Sequence, residues 1–260
     1  MKQTKEITNF DSNQVNPFIL NLLETSFDGG VDKFQSSIDL LISFDEEATI
    51  KTTLSFLNSR NRIAKLYEMV LANDILREKM LQSSYYHKNG FDKLVLLQSG
   101  SFKIRVHNFD AGYIFKAEKN IHDHRWLFAS TILKGSFEMS IYNESNSEGE
   151  KRYKNTYETS GNDSSIINHG YVYLKEREKL VFTQGQSYIM PPEELHDIKG
   201  ISESGTITLM MTGSNQKSTC KLYSTSKVQK SGKNDEKVSI QRISSIINSI
   251  IKINNTYKVA

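Results

Sequence analysis

Apolar residues change their spacing near residue 85. Between Asn16-Pro17 and about Ser84 they recur at helical intervals. Phe18, Leu22 and Leu23 share one stripe, and Phe34, Ile38, Leu41 and Ile42 share another. Ile63, Leu66, Met69, Val70 and Ile75 continue the pattern. This spacing predicts three or four helices, with Pro17 at a helix entry and Ser59 or Asn61 as a cap. After Asn89-Gly90, a turn signal, a period of two takes over. Phe102-Lys103-Ile104-Arg105-Val106-His107 alternates, and so do residues 137–142 after the Lys134-Gly135-Ser136 turn. Further short strands are expected at 94–98, 131–133, 171–174, 179–183, 186–190 and 206–212. Residues 143 to about 170 are rich in Asn, Ser, Glu and Gly and read as a long excursion with one strand near 153–157. The stretch from about 215 to 237 is polar and Lys/Ser-rich, which reads as a linker or loop. Ile240, Ile243, Ile246, Ile247 and Ile250 then mark a short amphipathic helix that packing must hold.

The pattern predicts a mainly β chain with helical additions. An antiparallel β-barrel or jelly roll over 91–215 follows a helical segment over 1–90 packed on it. A polar linker and C-terminal amphipathic helix fill 216–260. Composition narrows the function classes. The formal net charge of +3 over 260 residues is too small to argue for nucleic acid or a membrane surface, and 14–84 holds no basic DNA-reading helix. The single cysteine, Cys220, excludes an internal disulfide framework and a Cys-rich zinc site, and its polar surroundings read as an exposed thiol. The first residues lack the apolar core of a secretory signal, and no stretch reaches the roughly 18 apolar residues of a membrane span. A cytoplasmic location is the expectation.

Chemistry concentrates in two blocks, Ile121-His122-Asp123-His124-Arg125-Trp126 and Pro191-Pro192-Glu193-Glu194-Leu195-His196. In a strand, His122 and His124 would share one face and Asp123 the other. With His196 arriving from a later strand, three imidazoles can close on one divalent transition metal.

The two blocks resemble the paired motifs of the cupin superfamily. His122, His124 and Gly135 fall at the first motif's positions, and Gly185, Pro191 and His196 at the second's. Lys116 stands where the first motif opens on glycine, Glu193 where the second has its inner glycine, and Gly200 where it has asparagine. Phe128 occupies the place where most cupins carry a metal-binding glutamate. A three-histidine set without a carboxylate is similar to the thiol (cysteine-type) dioxygenase branch. That resemblance covers roughly residues 91 to 213. It implies a mononuclear non-haem Fe(II) site and oxidation of a small thiol or amino-acid-like molecule by O2.

The residues themselves leave alternatives open. Zn, Ni, Mn or Cu also suit imidazole, and a zinc site would favour a metal-dependent isomerase, lyase or hydrolase. A non-catalytic small-molecule-binding module is a third reading. Arg105 and Arg125 are candidate clamps for a substrate carboxylate, since guanidinium pairs with it bidentately. Alternation puts Arg105 on the face opposite Ile104 and Val106, whichever way that face points, whereas Arg125 shares the parity of Asp123. His107 and Tyr113 are candidate groups behind the ligands. The partners implied are a small-molecule substrate and O2, with a homodimer contact as one role open to the helices.

Overall fold

The computed structural model describes residues 7–11, 15–58, 61–110, 120–160, 163–227 and 235–256. A short strand β1 (Thr8–Phe10) precedes five helices, α1 (Pro17–Asp28), α2 (Val31–Phe44), α3 (Glu46–Leu57), α4 (Arg62–Leu71) and α5 (Asp74–Ser83). Twelve strands follow: β2 (Tyr85–His87), β3 (Phe91–Gln98), β4 (Lys103–Phe109), β5 (Ile121–His122), β6 (Trp126–Lys134), β7 (Ser136–Ser145), β8 (Glu150–Ser160), β9 (Asp163–Thr183), β10 (Ser187–Met190), β11 (Leu195–Lys199), β12 (Thr206–Asn215) and β13 (Thr219–Ser224). Helix α6 (Ile240–Thr256) closes the described chain.

Helix starts follow local chemistry. The Asn16 carboxamide oxygen accepts from the amides of Phe18 and Ile19 at 3.0 and 3.2 Å, with Pro17 at the first helical position. Asp45 caps α3 and Asn73 caps α5 in the same way. Asn61 stands at the N-cap of α4, in the left-handed region at φ 57°; its carbonyl oxygen accepts from the Lys65 amide, but its side chain makes no capping bond. Ser59 lies outside the described residues.

Every strand pairing within the two sheets is antiparallel. One sheet runs β1-β10-β6-β12-β4-β3-β2, and the other closes on itself as β11-β5-β13-β8-β9-β7. Eight strands carry the barrel: β4-β12-β6-β10 in the first sheet and β5-β11-β7-β9 in the second. In chain order these are the eight positions of a jelly roll, two Greek keys folded face to face. The extra strand β8 is inserted between the fourth and fifth of them, β7 and β9, and β13 is appended after the eighth.

The first sheet is covered on both sides, which explains its long apolar runs. Its outer residues, among them Leu94, Leu96, Ile104, Val106, Leu209 and Met211, share one core with Leu23, Phe34, Ile38, Leu54 and Leu66 from the helices and Ile243, Ile246 and Ile247 from α6. Its inner face joins the second sheet around Phe128, Ile132, Phe137, Met139, Ile141, Tyr188, Met190 and Met210. The helices therefore lie against the outside of the barrel wall.

Three expectations change here. The 143–170 excursion is two long strands, and 163–183 is one continuous strand rather than two short ones. The polar stretch after 215 contains β13, which pairs with both β8 and β5, so the barrel's second sheet extends beyond residue 215. Cys220 lies in that strand, half-buried, and burial pushes its thiol pKa up.

Gly135 turns the chain from β6 into β7 at φ +73°, and a Cβ there would overlap the Gly205 carbonyl oxygen and the Ser202 hydroxyl. Gly135→Ala is expected to destabilise the fold by roughly 2–4 kcal/mol, from left-handed strain plus a clash with backbone that has little freedom to retreat. Denaturant unfolding of parent and variant measures it.

Candidate metal centre

His122 and His196 sit opposite each other across the β5–β11 pair, in register at the Cα level. The His196 ring reaches Phe128 of the first sheet at 6.3 Å between centroids and the His122 ring lies 4.7 Å from it, so both face the barrel interior. His124 lies just beyond β5, outside any strand, with its backbone amide on the Pro192 carbonyl at 3.0 Å. The shared face therefore does not come from strand alternation. It comes from a loop pinned to the turn that precedes β11.

Donor atoms of the three histidines all lie within 4.8 Å of one another. Ring centroids are 4.7 Å apart for His122–His196, 5.0 Å for His122–His124 and 5.1 Å for His124–His196. Two tautomers follow from the hydrogen bonds. Nδ1 of His122 reaches the Asn120 carbonyl and Nδ1 of His196 the Glu194 carbonyl, each at 3.1 Å. A carbonyl only accepts, so each Nδ1 carries the proton and each Nε2 keeps its lone pair. Burial lowers the proton affinity of all three rings: His196 falls to about 3, and His124 lies well below the ordinary value. These are neutral imidazoles at pH 7, the form that binds a metal, and the donor set fits a divalent transition ion.

The surroundings hold the rings in place. Trp126 stacks against His124 at 5.7 Å between centroids, and Phe128 meets it edge-on at 4.9 Å. Phe128 thus lies directly against two of the three rings. Asp123, only 1% exposed, turns away from the rings, accepts from Lys217 Nζ and from the Lys221 amide at 2.6 Å each, and ties the ligand segment to β13. Burial raises the Asp123 pKa, and those two donors oppose the rise.

The other candidate residues separate by position. Arg105 faces inward, because its alternating neighbours Ile104 and Val106 face the helices. It is 4% exposed, donates from Nη2 to Thr212 Oγ1 at 3.2 Å and lies 5.2 Å from the Trp126 ring centre. Burial lowers its pKa to about 10, which leaves it cationic at neutral pH. Arg125 lies against the same ring, 5.4 Å from its centre. His107 shares the inner face, opposite Lys93 on β3 and Thr208 on β12, and tilts against Phe91 at 4.6 Å. Tyr113 lies outside the described residues. Sequence reasoning missed Lys93 and Tyr85, which strand pairing brings beside His107; the alternation of β3 held no signal for them because both its faces are covered.

No family model matches the sequence, and no curated protein does. Among solved structures, KdgF from Halomonas sp. is similar at 12% identity over 48% of this chain and 81% of that one, with a TM-score of 0.27. Hydroquinone 1,2-dioxygenase from Sphingomonas sp. TTNP3, with 4-hydroxybenzoate bound, matches at 9% identity over 47% and 65%, TM-score 0.30. The Schizosaccharomyces pombe Cnp3 cupin domain matches at 13% over 52% and 67%, TM-score 0.23. Likeness of that degree carries no argument about activity, and the jelly-roll assignment rests on strand order. What fold and site define together is a jelly-roll barrel with three inward imidazoles.

Proposed function

We propose that this chain is a metal-dependent jelly-roll enzyme of the cupin kind, a mononuclear non-haem Fe(II) dioxygenase. Its substrate is a small polar, carboxylate-bearing molecule of the thiol or amino-acid type. The observation that carries the reading is the donor set: three neutral imidazoles with donor atoms within 4.8 Å of one another, facing a buried arginine on the opposite sheet. Three uncharged ligands would leave a divalent iron its full charge and open positions for substrate and O2.

The protein's own part is positioning. The backbone carbonyls of residues 120 and 194 fix the tautomers of His122 and His196, and Trp126 and Phe128 wall the His124 ring. Arg105, held by Thr212 and Trp126, offers a preorganised fork to the substrate carboxylate inside a wall that excludes water, where a charge-assisted pair is strong. Arg125, against the same indole, guides anions inward.

The test is anaerobic loading with Fe(II), then O2 uptake against a panel of small thiols, amino acids and hydroxy acids. Uptake stoichiometric with product is the expected result. Turnover without O2 uptake would replace this reading with an isomerase, lyase or hydrolase, and binding without turnover would replace it with a binding module.

A further inference from the structure

The inner face of the first sheet carries more positive charge than one carboxylate can answer. Tyr85 pairs with Lys93, Lys93 pairs with His107, and Val95 pairs with Arg105, so all five residues line one face. Lys93 Nζ donates to the Tyr85 hydroxyl at 2.8 Å, a neutral partner. Among the described residues no carboxylate comes within ion-pair distance of Lys93 or Arg105. Asp92 faces the other way and is taken by Arg242 and Asn108. Three buried nitrogens here have no hydrogen-bond partner: Arg105 Nε, His107 Nε2 and Trp126 Nε1. Buried polar groups are as a rule satisfied, and orphans gathered around an unpaired cation mark the place of an absent acceptor.

The electrostatics agree with this geometry. Burial and then Arg105 hold the Lys93 ammonium well below its ordinary proton affinity, with Asp235 opposing from a distance. Lys103, at the outer end of the same strand as Arg105, is lowered by burial and then by Arg105 and Arg125. Positive charges crowd one another along this wall.

We propose that Lys93, with Tyr85 and His107 beside it, is a second anion subsite, and that the barrel's ligand is a small dicarboxylate with one carboxylate on Arg105 and the other against Lys93. The proposal rests on the reading of Arg105 as a carboxylate seat and narrows the substrate class. A monoanion would leave one of the two cations, buried Arg105 or half-buried Lys93, without an acidic partner, whereas a dianion pairs both. Lys93 and Arg105 are diagonal cross-strand neighbours, about 7–8 Å apart at the backbone, a span that two long side chains and a four- or five-carbon diacid can share.

The test uses the full chain without metal, so its outcome is independent of the histidine site. Calorimetric titration compares succinate with butyrate, equal in length and differing by one carboxylate. The parent is expected to bind succinate at least about tenfold more tightly. Lys93→Met should abolish that preference while binding butyrate as the parent does, and Lys93→Arg should keep most of it. Ligand-free Lys93→Met should also melt above the parent, because a half-buried cation with no carboxylate partner is gone; a lysine serving only the fold would give a lower melting temperature. Equal affinity of the parent for the two acids, or a preference that survives in Lys93→Met, would overturn the proposal. His122→Ala should retain the preference, so loss of the metal reading and loss of this one are separable.

Discussion

Alanine at His196 is expected to lower metal affinity by more than about a thousandfold and to abolish turnover, beyond the 10–100-fold that losing an outer-shell partner causes. His196 sits at the centre of the constellation: it pairs with β5 on one side and β7 on the other, and its ring lies about equally close to both other histidines. Removing it leaves two imidazoles, and among the described residues no carboxylate forms a donor group with them. The fold should survive, because the β11 backbone pairing does not depend on the ring. Competition against a chelator of known affinity measures the loss, and parent-like affinity in His196→Ala would remove the basis of the metal reading.

The second large effect is expected at Arg105. Arg105→Met should reduce kcat/KM by about 30- to 5,000-fold, the consequence of removing a desolvated charge-assisted contact of about 2–5 kcal/mol. The thermal midpoint should hold or rise, because the variant gives up one bond to Thr212 while discarding a buried guanidinium whose Nε has no partner. Arg105→Lys should fall between, with charge kept and the planar fork lost. A change in kcat/KM under about threefold would mean that Arg105 does not hold substrate. A marked fall in melting temperature would assign it to the fold.

Most of the barrel was legible where one face of a strand is dry and the other wet. The alternation at 102–107 and 137–142 placed β4 and β7, and Gly135 was recognisable as a turn before its positive φ was known. The β8–β9 hairpin was read only in pieces, at 153–157, 171–174 and 179–183, because much of it is exposed and residues such as Lys175, Glu176, Arg177 and Glu178 carry no apolar rhythm. β13 escaped for a related reason: its Lys/Ser-rich flanks look like linker, and backbone pairing to β8 and β5 makes it a strand. The three histidines were found by spacing, although His124 reaches the site from a loop. The direction of Arg105 could not be read at all. Both faces of its sheet are covered, and the helical layer draws the apolar set outward and leaves the polar set facing the barrel interior.

The most direct measurement is X-ray absorption on the protein loaded with one equivalent of zinc, a redox-silent probe of the ligand shell. Three imidazole nitrogens at about 2.0–2.1 Å are expected, falling to two in His122→Ala and in His124→Ala. A shell with fewer imidazoles in the parent, or one that both variants leave unchanged, would contradict the account.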